Sequence, residues 1–504
     1  MRSLVVDWAL VVSGKSLDQL TPFQRDVTQV LADAFAGVGE ELYLVGGIVR
    51  DALLGRARLA DLDFATSAQP QRTRELLESV GAASVYLVGE RFGTIGAIFG
   101  EAPDRLHVEV TTYRREDYPN DDRFPEVAFD ATLIDDLGRR DFTMNAIAID
   151  ARSGEMIDPW EGEADIAQAL VRAVGDPDER FGEDPLRLLR AARFVSQLGF
   201  RLDWQTEQAM DRQAPSLARI SRERILAELT LLLLGEYVDH GLDALRRTGL
   251  LQVALPEIEP LTAEAEADLT PRLGREKDLW DHTVRVVRQT PPRPAVRWAA
   301  LLHDAGKPLT RSVGLNGEVH FFGHERVGAE LANRALGRFN AERALRSAVR
   351  TLVELHGRPA AYDPTWTDSA VRRLALDTGD VWDDLLDLAA ADVTSGREQK
   401  RVAAAQRVAA LRARFAHLQE ETELARLESP LDGNDLMRTF DRPPGPWIKG
   451  VKNHLRELVI DGALSPDDKN GALLIARSLL AQDDSSPEGS AASTAKQRAK
   501  PNRP

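Results

Sequence analysis

The spacing of apolar positions divides the chain into two regimes. Between residue 26 and about residue 150, short apolar runs alternate with helix-spaced stretches. Residues 29–36 and 72–80 carry helical spacing, and 43–45, 85–88, 94–99 and 146–149 read as strands. Over 106–111, Leu106, Val108 and Val110 alternate with His107, Glu109 and Thr111, the period of a half-buried strand. After about residue 160 the spacing is helical almost throughout, with runs at 226–234, 242–251, 284–289, 296–303, 325–339, 344–355 and 385–392. An acidic, proline-flanked stretch at 256–271 and a shorter one at 291–294 interrupt it. These patterns predict an α+β chain. A mixed-sheet head covers 26–155, a helical neck and body 156–270, a helical domain 271–400, a helical tail 401–482 and a disordered C-terminus 483–504.

Composition narrows the chemistry. A chain of 504 residues exceeds one hydrophobic core, so several domains follow. No apolar run approaches the ~20 residues that span a bilayer, and Asp7 interrupts the apolar N-terminus, so neither a membrane span nor a signal peptide is expected. The absence of cysteine excludes disulfides and thiolate metal sites and fits a cytoplasmic location. Any metal must sit on His, Asp or Glu. A net charge of −16 counts mildly against nucleic-acid binding, although a local basic groove can still steer RNA.

The segment Leu44-Val45-Gly46-Gly47-Ile48-Val49-Arg50-Asp51 joins a strand to a helix through two glycines. Glycines there let backbone N–H groups approach a phosphate, and Arg50, one turn on, can clamp it. Asp61-Leu62-Asp63 follows, and on a strand its two carboxylates share one face, as hard-oxygen coordination of Mg²⁺ requires. Glu109 is the candidate third carboxylate. An Asp-x-Asp alone is common on protein surfaces. Combined with Gly-Gly-x-x-Arg, the segment resembles the polymerase β-type nucleotidyltransferases, in the branch of class II tRNA CCA-adding enzymes and bacterial poly(A) polymerases. The resemblance implies a catalytic palm in which Asp61, Asp63 and Glu109 hold Mg²⁺. One metal then activates the RNA 3′-hydroxyl and another stabilises the pyrophosphate leaving group.

Two further motifs extend the resemblance over roughly residues 40 to 235. Arg139-Arg140-Asp141-Phe142-Thr143-Met144-Asn145-Ala146 suits phosphate or ribose contacts through its arginines, with Arg140 the binding candidate. An ion pair with Asp135 or Asp136 is the structural alternative. In Glu183-Asp184-Pro185-Leu186-Arg187-Leu188-Leu189-Arg190-Ala191-Ala192-Arg193, helical spacing puts Leu188, Leu189 and Ala192 on one side. Asp184, Arg187, Arg190 and Arg193 fall on the other. The likeness to the family's base-selecting motif assigns these four to nucleotide binding. An accepting Asp184 and a donating Arg187 match the edges of cytosine and adenine, whereas uracil and guanine present the reverse order. A buried mismatch of that kind costs roughly 1–3 kcal/mol per group. Selection of CTP and ATP then needs no template. Ser221 to Glu228 resembles the next motif and reads as a structural Glu–Arg support. The stretch 112–129 stands where the family has a flexible loop. Gly89 to Gly96 lacks the basic pair before Phe and the later histidine typical of the poly(A) polymerases, carrying Glu90-Arg91 before Phe92, which favours CCA addition.

The helical third domain carries His282, His303-Asp304, His324, His356 and Asp392. Leu301 to Lys307 resembles the core motif of the HD phosphohydrolases. That resemblance implies a second site for Mg²⁺ or a divalent transition metal, with phosphoester hydrolysis as a second activity. The remaining histidines, His107, His240, His320, His417 and His454, have no comparable partners in the sequence. The leading expectation is addition of C and A to the tRNA 3′ end from CTP and ATP. Poly(A), CC-only and A-only addition stay open, as do an HD phosphohydrolase with a nucleotide- or RNA-binding head and an RNA-binding regulator. Oligomeric state is not encoded in these motifs.

Overall fold

The computed structural model describes residues 19–56, 61–88, 93–102, 104–117, 126–263, 279–393, 398–420 and 429–484. The expectations for the N-terminal apolar run, the 89–92 segment, the middle of the 112–129 loop, most of the acidic linker and nearly all of the C-terminal tail fall outside the described residues. The chain forms two compact units, residues 1–347 and 348–504.

The first unit opens with α1 (Pro22–Ala36), β1 (Leu42–Val45), α2 (Gly47–Leu53), β2 (Leu62–Thr66), α3 (Pro70–Ser79), β3 (Ser84–Leu87), β4 (Thr94–Phe99) and β5 (Leu106–Thr112). β6 (Arg115–Asp117), β7 (Glu126–Ala128), α4 (Leu133–Gly138), β8 (Ala148–Asp150) and β9 (Met156–Ile157) complete the head. Thr21 and Thr132 start α1 and α4 with reciprocal side-chain–backbone capping bonds. The sheet order is β3-β4-β5-β2-β1-β8-β9. β2 and β5 run parallel, and the other adjacent pairs are antiparallel. Leu62, Phe64, Val108, Val110, Leu44 and Ile149 are buried, so the sheet's packed face forms the head's core. The parallel register sets Asp63 beside Glu109, both on the less buried face.

Helices dominate beyond the head: α5 (Gly162–Ala167), α6 (Pro177–Glu183), α7 (Leu186–Leu198), α8 (Trp204–Gln213), α9 (Arg222–Leu233), α10 (Val238–Arg247) and α11 (Leu250–Ala254). Two short strands, β10 (Leu170–Val171) and β11 (Arg201–Leu202), pair in parallel among them. The helical pattern left no signal for strands of two residues. α12 (Leu279–Gln289), α13 (Pro294–Leu302), α14 (Lys307–Thr310), the hairpin β12 (Ser312–Val313) with β13 (Val319–His320), and α15 (His324–Arg338) follow. The division between the units falls within α16 (Arg343–Leu355).

The second unit contains α17 (Asp368–Thr378), α18 (Trp382–Ala391), α19 (Glu398–Glu420), α20 (Gly433–Phe440), α21 (Pro446–Ile460) and α22 (Lys469–Asp484). Leu431, Leu436, Val451, Leu455, Val459 and Ala476 are among its core residues. Arg407, Arg412 and Arg414 of α19 bond to Ala360, Asp387 and Asp368 of the same unit. Among the described residues no helix is long and apolar enough to cross a membrane.

Candidate active site

A cleft of about 1560 Å³ opens between the exposed face of the head sheet and α7. Gly46, Gly47, Arg50, Asp63, Glu109, Arg140, Asp184, Arg187, Arg190 and Arg193 all line it, so ten of the sequence-expected residues converge on one cavity. Asp61 is the exception. Expected on the strand with Asp63, it lies one residue before β2 and is exposed. The ladder begins at Leu62, whose partner on β5 is Val108.

Gly46 adopts φ 78° and ψ −139°, a region essentially closed to residues with a Cβ. A Cβ built there would stand 3.4 Å from Arg140 Nη1 and 3.8 Å from Asp63 Oδ2. The bare backbone therefore forms the floor between a cation and a carboxylate. Asp136, buried at the last turns of α4, accepts from Arg139 at 2.7 Å and from Arg140 at 3.1 Å. Burial alone would push its carboxyl up, but the two guanidiniums outweigh that and hold it below the usual carboxylate range. The Asp136 alternative weighed in the sequence is thus realised. It does not remove Arg140 from the site, because Arg140 still lines the cleft beside Gly46.

The carboxylate pair fits a divalent cation. Burial, then the neighbouring Glu109, push Asp63 up to about 6, with Arg140 opposing and Asp61 adding to the rise. Two carboxylates in register on adjacent strands are mutually unfavourable until a cation shares them.

α7 carries its arginines in a scaffold of fixed partners. Arg187 donates to Glu183 at 2.6 Å, to the Arg180 carbonyl at 3.0 Å and to the Arg139 carbonyl at 2.7 Å. Asp184 accepts from the Leu186 backbone at 3.1 Å and from Arg224 at 2.8 Å. Arg190 pairs with Asp141 at 2.6 Å, and Arg193 with Glu228 at 3.2 Å. The polar side of α7 is therefore held against the head and α9, not spread in solvent, and Glu228 acts as the structural support that its motif suggested.

Three residues of this site were given no role of their own by the sequence, although Asn145 and Arg224 lie within its motifs. Asn145 sits in a short 3₁₀ turn, buried, and bonds Arg50 and Asp141 at once. Phe194, on α7, lies under three guanidiniums, with Arg193 at 4.5 Å, Arg50 at 5.1 Å and Arg190 at 5.6 Å from its ring centre. Arg224 holds Asp184 from a different helix. Each is visible only when distant segments meet.

A second cluster lies in the first unit. His282 and His303 Nε2 are 3.2 Å apart, and Asp304 Oδ2 is 3.3 Å from His282 and 3.2 Å from His303. Ligand bonds of about 2.0–2.1 Å place neighbouring donors roughly 3.0–3.4 Å apart around one ion, so these three groups fit a metal. His303 and His324 each direct Nδ1 at the carbonyl three residues earlier, at 2.8 Å in both cases. A carbonyl only accepts, so Nδ1 is the donor in each of these bonds, which leaves Nε2 facing Asp304. Asp304 Oδ1 is buried without a hydrogen-bond donor among the described residues, with His324 Nε2 at 3.6 Å. Burial would raise this carboxyl, but His303, His282 and Lys307 hold it well below the usual range. In the second unit, His356 shows the same Nδ1–carbonyl bond, to Val353 at 2.7 Å, and Asp392 directly follows α18.

Sheet, carboxylate pair and arginine-lined cleft define a nucleotidyltransferase. Comparison with known proteins agrees. Residues 42–172 match the poly A polymerase head domain, 199–262 the probable RNA and SrmB-binding site of polymerase A, and 279–396 the HD domain. A CCA-adding enzyme of Geobacillus sp. strain WCH70 is 32% identical over 429 residues, covering 84% of this chain and 90% of the relative. The CCA-adding enzyme of Geobacillus stearothermophilus is 33% identical over 428 residues, with the same coverage of both chains. The crystal structure of the Bacillus stearothermophilus CCA-adding enzyme in complex with CTP superposes with a TM-score of 0.62 at 27% identity, covering 92% of this chain and all of that one. A Thermotoga maritima CCA-adding enzyme complexed with tRNA shares the fold, with a TM-score of 0.51 at 18% identity. The chain belongs to the family of CCA-adding enzymes.

Proposed function

We propose that this protein adds C and A to the 3′ end of tRNA from CTP and ATP, releasing pyrophosphate. The observation that carries this is the cleft, which joins the Asp63–Glu109 pair to Asp184 and Arg187 in a single cavity. Metal-type chemistry and base-edge chemistry thus act on one substrate. The triphosphate lies over the Gly46 backbone, with Arg50 and Arg140 against its oxygens. Asp184 accepts the exocyclic amine of cytosine or adenine, and Arg187 donates to the adjacent ring nitrogen. Both groups already have protein partners that hold them on the cleft side of α7. Asp63 and Glu109 would hold Mg²⁺, with Asp61, just outside the strand, as the third candidate carboxylate; the metal would supply an activated 3′-hydroxyl and charge stabilisation of the leaving group.

His282, His303, Asp304 and His324 hold a second divalent ion, and the sequence pattern adds His356 and Asp392 to the set. The site supports phosphoester hydrolysis as a second activity. Paired variants separate the two functions. Asp63→Ala abolishes nucleotide addition to a tRNA ending before its CCA, while His303→Ala retains it and loses phosphoester hydrolysis. Retained addition in Asp63→Ala would overturn the assignment of Asp63, whereas no addition by the wild type, with hydrolysis lost in His303→Ala, would favour an HD hydrolase with a nucleotide-binding head.

A further inference from the structure

A continuous hydrogen-bonded chain crosses the floor of the cleft. Arg50 Nη1 donates to Asn145 Oδ1 at 2.9 Å, Asn145 Nδ2 donates to Asp141 Oδ1 at 3.1 Å, and Arg190 Nε donates to Asp141 Oδ2 at 2.7 Å. Asn145 and Asp141 are buried, at 7% exposure each. The direction of each bond is fixed. Arginine only donates and carboxylate only accepts, so the amide between them presents its oxygen to Arg50 and its nitrogen to Asp141. No other neutral side chain of this length offers both an acceptor and a donor in one plane. The Phe142 backbone N–H also donates to Asp141 Oδ1, at 2.8 Å, which pins the carboxylate to the 3₁₀ turn. From its other side, Arg50 stacks over Phe194 of α7, seven residues and about two turns beyond Arg187. Arg50 is thus held between the head, through Asn145, and the base-reading helix, through Phe194.

We infer that Asn145 is a positioning residue that couples the phosphate-binding Arg50 to the base-reading helix α7. This rests on the assignment of Arg50 to the triphosphate and of Asp184 and Arg187 to the base. A correct base seats α7, and Arg190, Asp141 and Asn145 then seat Arg50 against the reacting phosphates. A wrong base leaves α7 displaced, and the displacement reaches Arg50 through the same bonds. Discrimination therefore appears in the rate of addition as well as in binding. The arrangement also explains a buried Asn between two charged groups, where either an acid or an apolar residue would leave one partner unsatisfied.

Single-nucleotide addition of CTP and UTP to tRNA ending before its CCA tests this in wild type, Asn145→Ala and Asn145→Asp. The aspartate keeps an acceptor for Arg50 but cannot donate to Asp141. In Asn145→Ala, kcat for CTP falls by about tenfold or more, as loss of buried bonds implies, while kcat for UTP falls much less. In Asn145→Asp the ratio of kcat for CTP to that for UTP shrinks by a similar factor, while KM for CTP stays near wild type. Thermal melting identifies any variant that fails to fold, and the aspartate variant alone then decides. A wild-type ratio in Asn145→Asp, or an equal loss for CTP and UTP in both variants, overturns the coupling. If wild type itself takes UTP as readily as CTP, the base-reading assignment fails first and takes the coupling with it, so the two failures are distinct.

Discussion

Protonation of Asp63 gives a direct handle on the palm. Its carboxyl is raised from 3.8 to about 6, first by burial and then by Glu109. A shift of about two units corresponds to roughly 3 kcal/mol between the protonation states. The sign follows from the direction. A raised group contributes stability that is fully present below its unfolded value near 3.8 and is lost as pH rises through about 6. Without cation, the Asp63–Glu109 pair is therefore most unfavourable at neutral pH. A divalent cation relieves that strain only where Asp63 is ionised, so binding competes with a proton below about pH 6. Melting the protein with and without Mg²⁺ at pH 5.0 and pH 7.5, in wild type and Asp63→Asn, isolates the contribution. The Mg²⁺-induced rise in Tm that depends on Asp63 is expected to be small at pH 5.0 and a few degrees at pH 7.5, since ~1 kcal/mol moves Tm by about 1–2 °C in a unit of this size. The difference between the two proteins removes any contribution from the histidine cluster. An Asp63-dependent rise of equal size at both pH values would refute competition between the cation and a proton on a raised Asp63 carboxyl.

Three further outcomes follow from the same structure. Gly46→Ala is expected to lower kcat at least tenfold and to cost about 1–3 kcal/mol, because alanine rarely adopts that backbone conformation and its Cβ faces Arg140 and Asp63; steady-state addition and melting check both. Glu228→Ala strips the partner from Arg193 and is expected to cost about 3–5 kcal/mol, as for a broken buried ion pair, measured by chemical denaturation. His303→Ala removes a donor from the His282–Asp304 cluster, so metal analysis of purified protein is expected to show loss of one divalent ion, with Mg²⁺-dependent CTP addition unchanged.

Much of this site was legible because its chemistry is local. The Leu106–Val110 alternation placed Glu109 on the open face of β5, and the helical spacing of Asp184, Arg187, Arg190 and Arg193 placed them on the polar side of α7. The pairing of Asp63 with Glu109 was not readable, because a parallel register between strands far apart in sequence is set by tertiary packing. Asp136 could be proposed as a partner of Arg139 and Arg140 from its three- and four-residue spacing. Asn145 and Phe194 could not, since an Asn in a turn and a Phe on a helix are ordinary until Arg50 arrives between them. Nor could the start of β2 one residue after Asp61, because strand ends depend on the neighbour's length. The HD histidines were legible as types, but the backbone carbonyls that set their tautomers were not.

The central claim is base-selective addition at one cleft, and its most direct measurement is product sequencing. A tRNA transcript ending before its CCA is incubated with Mg²⁺ and the four nucleoside triphosphates, singly and together, and the extended 3′ ends are read. The account predicts C from CTP alone, CCA from CTP with ATP, and little incorporation of UTP or GTP. A long A tail, or UTP and GTP entering as readily as CTP and ATP, would contradict it.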